Sequence, residues 1–294
     1  MTIRIVTDSV ADIPKEVAEE LEISVVPLYV HFGTESFRDN VDIEPDEFYR
    51  RLAEGPIHPT TSSGPIGDFL QIWQNLLDQG ADKIISIHAS KKLSAVYGTA
   101  LQAQEMIGEK EKDKIEIIDS NLGAMAMGFP VMLAARLVKQ RKNTEQILAA
   151  VDKGISHVSL LAVIEDIKYL KKGGRALKPV IKAIELALKT FKRKSLITLK
   201  NGEVSLFGTR FIKPYDKTRK MLEFVQKHPG IEEIALEYAP DLKGETEKIV
   251  QELSNEIKSL LPDIPFYFTQ ISPVIGVHAG PGAIVISLIT KAES

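Results

Sequence analysis

Cysteine is absent from the 294-residue sequence, which excludes a disulfide scaffold, a thiolate zinc site and a cysteine nucleophile. A charge excess is missing too. The 37 Lys and Arg against 40 Asp and Glu leave a formal net charge of −3, which offers no global field for nucleic acid or an anionic membrane. No uninterrupted apolar run reaches the roughly 18 residues that a membrane span requires. Met1 to Thr7 leads straight into a strand-like pattern, without the basic segment and apolar core of a signal peptide. The expectation is a soluble, cytoplasmic protein with no nucleic-acid partner and no stable membrane insertion. Nucleotide loops are lacking as well, since there is no P-loop and no G-x-G-x-x-G after a strand. No G-x-S-x-G elbow supports a Ser-His-Asp triad. His31, His58, His88, His157 and His228 show no metal-ligand spacing.

What is present is a regular alternation of strand and helix patterns in a chain long enough for two domains. Ile3 to Thr7, Ile23 to His31, Lys83 to His88 and Ile115 to Ile118 read as strands. Pro14 to Glu20, Glu44 to Glu54, Gly64 to Gln79, Leu93 to Met106 and Met125 to Lys139 read as helices. Such βα alternation predicts a parallel sheet covered by helices on both faces. A helix over Thr144 to Ser156, with the threonine as its N-cap, marks a change of pattern. Beyond it, the strands Ser195 to Lys200 and Glu203 to Thr209 flank Asn201-Gly202, the pair that favours a two-residue hairpin. Further strands and helices follow, which predicts an α+β domain with a mixed sheet. The expected domains are 1–145 and 146–294.

Three hydroxyl-bearing loops fall at the carboxyl ends of the first-half strands, where open parallel sheets place ligands. They are Thr7-Asp8-Ser9, Thr60-Thr61-Ser62-Ser63 between Pro59 and Pro65, and His88-Ala89-Ser90 leading to Leu93-Ser94. Each has two readings. Ser, Thr and Asp are the preferred helix N-caps, and hydroxyls beside a helix N-terminus also suit an anion. Four consecutive hydroxyls exceed what one cap requires, so the Thr61 loop is the strongest anion-site candidate. Hydroxyls with no base or metal beside them suit holding an anion rather than reacting with it. Asp8 and Asp12, with Asp119, have a second reading as magnesium ligands beside a phosphate. Lys171-Lys172-Gly173-Gly174-Arg175 reads equally as a glycine C-cap with basic helix-end residues or as a mobile arginine at a pocket mouth. Arg210 ends a hairpin strand, and His278 precedes a Gly280-Pro281-Gly282 turn whose glycines permit close backbone approach. The helix pattern Pro179 to Lys189 carries a wide apolar surface, suited to ordinary core or to covering an acyl chain.

Together these segments resemble the DegV family of bacterial fatty-acid-binding proteins. The resemblance runs through nearly the whole chain. Its landmarks are Thr7-Asp8-Ser9-x-x-Asp12, Thr61-Ser62, Ser90-x-x-Leu93-Ser94-x-x-Tyr97, Asp119-Ser120, Lys172-Gly173-Gly174-Arg175 and His278-x-Gly280-Pro281-Gly282. It implies a long-chain fatty acid in a tunnel between the two domains. The carboxylate would be held by Thr61, Ser62 and Ser94, with His278 close by. It also implies a separate ATP-dependent kinase subunit that phosphorylates the bound carboxylate to an acyl phosphate. Arg175 would meet that partner, with Arg210 assisting at the same surface. No catalytic residue, metal or cofactor is expected beyond the bound fatty acid. An acyl tail of about a dozen methylenes supplies about 10 kcal/mol gross at ~0.8 kcal/mol each, before the entropy of immobilisation. The tail would set affinity and the hydroxyls orientation. The sequence departs from its relatives beside the head group, with Ser63-Gly64 after Ser62 and the bulkier Ala95-Val96 after Ser94. The alternative function is a metal-dependent phosphate-ester or sugar-phosphate enzyme using Asp8 and Asp12 in the same cleft. A lipid-sensing regulator is the third reading.

Overall fold

The computed structural model describes residues 1–173, 182, 194–212 and 216–291. The fold is α/β, with an N-terminal parallel sheet and a C-terminal mixed sheet. The parallel sheet consists of β1 (Ile3–Asp8), β2 (Ile23–Val26), β6 (Lys83–His88) and β7 (Ile115–Asp119), in the order β2-β1-β6-β7. β1 and β6 are buried nearly end to end, as expected of parallel strands covered on both faces. Their pairing aligns Ile5 with Ile23 on one side and with Ile85 on the other.

Ile23 to His31, expected as one strand, is two. Pro27 cannot donate to a ladder, and the chain leaves the parallel sheet there. It restarts as β3 (Tyr29–Phe32) in a small antiparallel sheet with β4 (Glu35–Arg38) and β5 (Thr60–Ser62). The Thr61 loop is therefore partly strand, and the following helix begins only at Ile66.

Among the described residues, the mixed sheet has six strands. These are β8 (Val158–Ile164), β9 (Lys194–Lys200), β10 (Glu203–Ile212), β11 (Ile231–Tyr238), β12 (Phe266–Gln270) and β13 (Ile284–Thr290), ordered β10-β9-β8-β13-β11-β12. Only β11 and β12 run parallel. The hairpin turn is as expected: Asn201 and Gly202 have φ of 51° and 78°, the left-handed pair that such a turn demands. Side-chain alternation along these strands separates two cores. Leu161, Val163, Leu196, Ile284 and Ile286 face the helices Lys217–Gln226 and Glu245–Leu260. Leu160, Ala162, Ile164, Ile197 and Val285 face the other way, into the core shared with the N-terminal sheet.

The helix Met125–Lys139 fills the space between the two sheets. Ten of the eleven residues from Met125 to Ala135 are buried, so this stretch is apolar all round, as a helical segment without a solvent face must be. Polar side chains return only in the last turn, with Arg136 and Lys139. The next helix, Thr144–Ser156, is capped by Asn143 rather than by the expected Thr144. Asn143 and Gln146 form a reciprocal capping box, and the amide satisfies the first-turn N–H that the threonine would have served. The expected helix Pro179 to Lys189 lies outside the described residues, Lys182 excepted.

Candidate functional site

A cavity of about 200 Å³ lies between the carboxyl ends of β1 and β6 and the inner face of the mixed sheet. This is where strand order reverses direction in the parallel sheet, the usual ligand position in open α/β folds. Three alternate residues of β8, Leu160, Ala162 and Ile164, form part of one wall, with Ile197, Leu199, Val204 and Val285 beside them. Val10, Leu28, Ala89 and Leu93 come from the N-terminal half, and Val274, Ile275 and Ala279 from the helix Pro273–Ala279. Among the described residues, the lining contains no Asp, Glu, Lys or Arg. Its polarity comes from Thr61, Ser62, Ser63, Ser94 and His278.

All four expected ligand-binding residues therefore meet in one cavity, but their hydroxyls do not all turn the same way. β5 pairs with β3 so that Thr61 is opposite Val30 and Ser62 opposite Tyr29. Val30 is fully buried, so pleating sends Thr61 inward and Ser62 outward. Thr61 Oγ1 lies 3.3 Å from His278 Nε2. Ser62 Oγ lies 2.9 Å from His31 Nε2, and His31 Nδ1 lies 2.8 Å from Ser36 Oγ. Ser63 pairs with Thr99 at 2.8 Å, and Ser94 Oγ accepts from the Val96 N–H at 3.2 Å. Thr61, His278 and Ser94 are thus the inward polar set, with Ser94 also serving its helix start. The hydroxyls do have imidazoles beside them, which corrects the expectation of a site without a base. His31 was missed because its partnership depends on strand register, and its only local signal is alternation with Tyr29.

Asp8 and Asp12 do not share this cavity. They line a second, more polar cleft of about 540 Å³ together with Asp39 and Glu44. Asp8 accepts from Val10 N–H at 3.1 Å, Ala89 N–H at 3.1 Å and His88 Nδ1 at 2.9 Å. His88 Nε2 is 2.7 Å from Ser86 Oγ. A Ser-His-Asp chain therefore exists, but all three residues are fully buried, and Ser86 and His88 line neither cavity. It ties the end of β1 to the end of β6. Among the described residues, no group of three His, Asp or Glu is arranged to hold a metal ion. Trp73 is fully buried against Phe69 and does not line the cavity.

Arg175 lies outside the described residues. Arg210 falls on β10, and only its backbone is described. The helix Ile167–Gly173, which leads toward Arg175, sends Leu170 to the cavity and leaves Lys171 and Lys172 exposed. Lys172 and Lys168 add to burial in lowering the pKa of His58.

Three carboxyls are buried between the two halves. Burial pushes Asp39 up to about 7, against hydrogen bonds from Ser9 and Val274. Burial likewise pushes Glu237 up to about 7, against bonds from Met125 N–H, Ser287 and Asp12. Asp12 is raised well above the usual carboxylate range, first by burial and then by the Glu237 charge. Unfolded carboxyls release their protons near pH 4, whereas the folded chain keeps those of Asp39 and Glu237 up to about 7. The folded state therefore binds more protons between those values, so this stabilisation is complete at low pH and lost as pH rises through 7. The urea midpoint is expected to fall between pH 5.5 and 8, and Asp39→Asn to reduce that fall. An unchanged pH slope in the variant would remove Asp39 as a source.

The family model described as "Uncharacterised protein, DegV family" matches residues 2–291. A DegV domain-containing protein of Caldanaerobacter subterraneus subsp. tengcongensis is 30% identical over 281 residues, covering 96% of each chain. Among solved structures, a DegV family protein from Thermus thermophilus, described by its fatty acid binding, aligns with a TM-score of 0.83 at 27% identity, over 99% of this chain and 100% of that one. A stearic acid-binding protein from Eubacterium ventriosum aligns with a TM-score of 0.85 at 25% identity, over 99% of both chains. No helix among the described residues is long and apolar enough to cross a membrane.

Proposed function

The chain belongs to the DegV family, and from that premise we propose that it binds a long-chain fatty acid between two domains, residues 1–145 and 146–294. The observation that carries the reading is the cavity itself. Its walls are aliphatic, its described lining lacks an ionised carboxylate or cation, and its polar groups are hydroxyls and one imidazole. A carboxylate needs donors, and Thr61, Ser94 and His278 supply them without a buried counter-charge. Ser62 lines the same cavity, and its side chain bonds to His31 on the outer face. Aliphatic walls take the methylenes, whose transfer from water supplies affinity.

In this reading the protein has no chemistry of its own. It presents the carboxylate to an ATP-dependent kinase subunit, which forms the acyl phosphate, with Arg175 and Arg210 at the meeting surface. The exposed Lys171 and Lys172 on the helix preceding Arg175 support a basic approach to such a partner. The kinase assay that tests it adds an ATP-dependent fatty acid kinase to the loaded protein. Arg175→Ala is expected to impair acyl phosphate formation more than fatty acid binding, and equal loss of both would contradict the role.

Binding is tested by extracting the purified protein and analysing the organic phase by mass spectrometry. A fatty acid is expected, and its absence, together with no uptake of added palmitate, would overturn the reading. Thr61→Ala is expected to weaken retention of the acid by about tenfold, the size of one charge-assisted hydrogen bond of about 1.5 kcal/mol. Ser94→Ala is expected to act in the same direction. Equal exchange rates in wild type and both variants would remove these hydroxyls from the site.

A further inference from the structure

His278 reaches the head-group end of the cavity from the helix Pro273–Ala279, a short element that the N-terminal half grips at its start. Asp12 Oδ2 accepts from the Ser272 N–H at 3.3 Å. Asp39 Oδ1 accepts from the Val274 N–H at 3.2 Å. Tyr49 Oη donates to the Ile271 carbonyl at 3.1 Å. All three side chains are buried, Asp39 at 1% exposure and Asp12 at 7%. Packing is equally tight, because a Cβ on Gly276 would sit 2.6 Å from both Phe48 Cε1 and Tyr49 Oη. The helix carrying His278 therefore has its place set from outside, by residues far from it in sequence.

We propose that Asp39, with Asp12, is a positioning residue that fixes His278 beside Thr61 and thereby sets the preference of the site for a free carboxylate. Neither aspartate lines the fatty acid cavity. Each acts through the backbone of the Ser272–Val274 segment. A seven-residue helix has few internal hydrogen bonds to hold its direction, so two side-chain acceptors at its first N–H groups carry much of its orientation. Polar recognition falls off steeply with donor–acceptor distance and angle. A shift of His278 by about 1 Å would thus weaken the head-group contact while leaving the aliphatic walls intact. Asp8 does the corresponding work on the facing wall, through Ala89 and His88. The aspartates of the Thr7-Asp8-Ser9-x-x-Asp12 segment so acquire a structural use that requires no metal.

This inference rests on the fatty acid reading, and the test separates the two. The full-length delipidated chain is titrated with palmitate labelled at the carboxyl with ¹³C, and with methyl palmitate, which has the same tail and no carboxylate. Wild type is expected to prefer the acid; no preference would defeat the binding reading itself. In Asp39→Ala the ratio of acid to ester affinity is expected to drop tenfold or more, with the bound ¹³C-carboxyl resonance displaced. Asp39→Asn keeps an oxygen for the Val274 N–H and is expected to retain both the ratio and the resonance. Asp39→Ser, too short to reach Val274, gives the same reading if the alanine variant does not fold. An unchanged ratio and resonance in the alanine or serine variant would overturn the proposal. So would a folded variant that loses acid and ester in equal proportion, since that is the signature of a purely structural role.

Discussion

Ala162→Phe is expected to reduce the fatty acid carried by the purified protein by tenfold or more while leaving the fold in place. Ala162 sits mid-strand on β8, between the wall residues Leu160 and Ile164, with Ile197 and Val285 paired on either side. Its side chain points into a space of only about 200 Å³. A phenyl ring there occupies the path of the acyl chain, so tail contacts worth about 0.8 kcal/mol per methylene are lost together. Loss of two or three methylene contacts already gives more than a tenfold change. Because the ring enters a cavity rather than a packed core, it avoids most of the ~1–3 kcal/mol overpacking cost. Mass spectrometry of the extract and a urea denaturation curve measure the two quantities separately. Wild-type fatty acid content in a folded variant would place the tail elsewhere.

Gly280→Ala is expected to be the most damaging glycine-to-alanine substitution among the described residues, at about 2–6 kcal/mol. Gly280 has φ 74° and ψ 168°, a backbone region essentially restricted to glycine and costing other residues about 1–3 kcal/mol. An added Cβ would also overlap the Tyr169 ring, which adds the ~1–3 kcal/mol of forced repacking. Tyr169 belongs to the helix Ile167–Gly173, so the clash falls where that helix packs on the helix carrying His278. Gly80→Ala gives the cost of a positive φ without a clash, since Gly80 has φ 89° with nothing within 4 Å of its Cβ position. The measurement is the difference in urea unfolding free energy between the two variants. A difference below about 1 kcal/mol would mean that the Tyr169 contact relaxes at little cost.

Much of the molecule follows from local pattern. The alternation of apolar runs with turn residues dictates a parallel sheet followed by a mixed one, and Asn201-Gly202 dictates the hairpin, because φ is positive at both positions. The hydroxyl loops and the ordered landmarks of the DegV family are equally legible, and the family membership follows from them. Local pattern misplaced the cap at Asn143, where asparagine and threonine are both competent and only the observed bond distinguishes them. It also passed over Pro27, which ends one strand and releases the next into a different sheet.

The sequence by itself determined the class of fold, the strand and helix content, and the hydroxyl-rich segments from which a carboxylate site could be built. These depend on side-chain period, turn chemistry and capping, all of which act within a few residues. Only the tertiary structure decided which hydroxyl looks inward. Thr61 and Ser62 are chemically alike neighbours, and the pairing of β5 with β3 assigns one to the cavity and the other to His31. The same holds for Asp12 and Asp39, whose partners Ser272 and Val274 are 260 and 235 residues away. Hydrogen bonds and packing at such separations are fixed by how the sheets and helices assemble, and no local pattern encodes them.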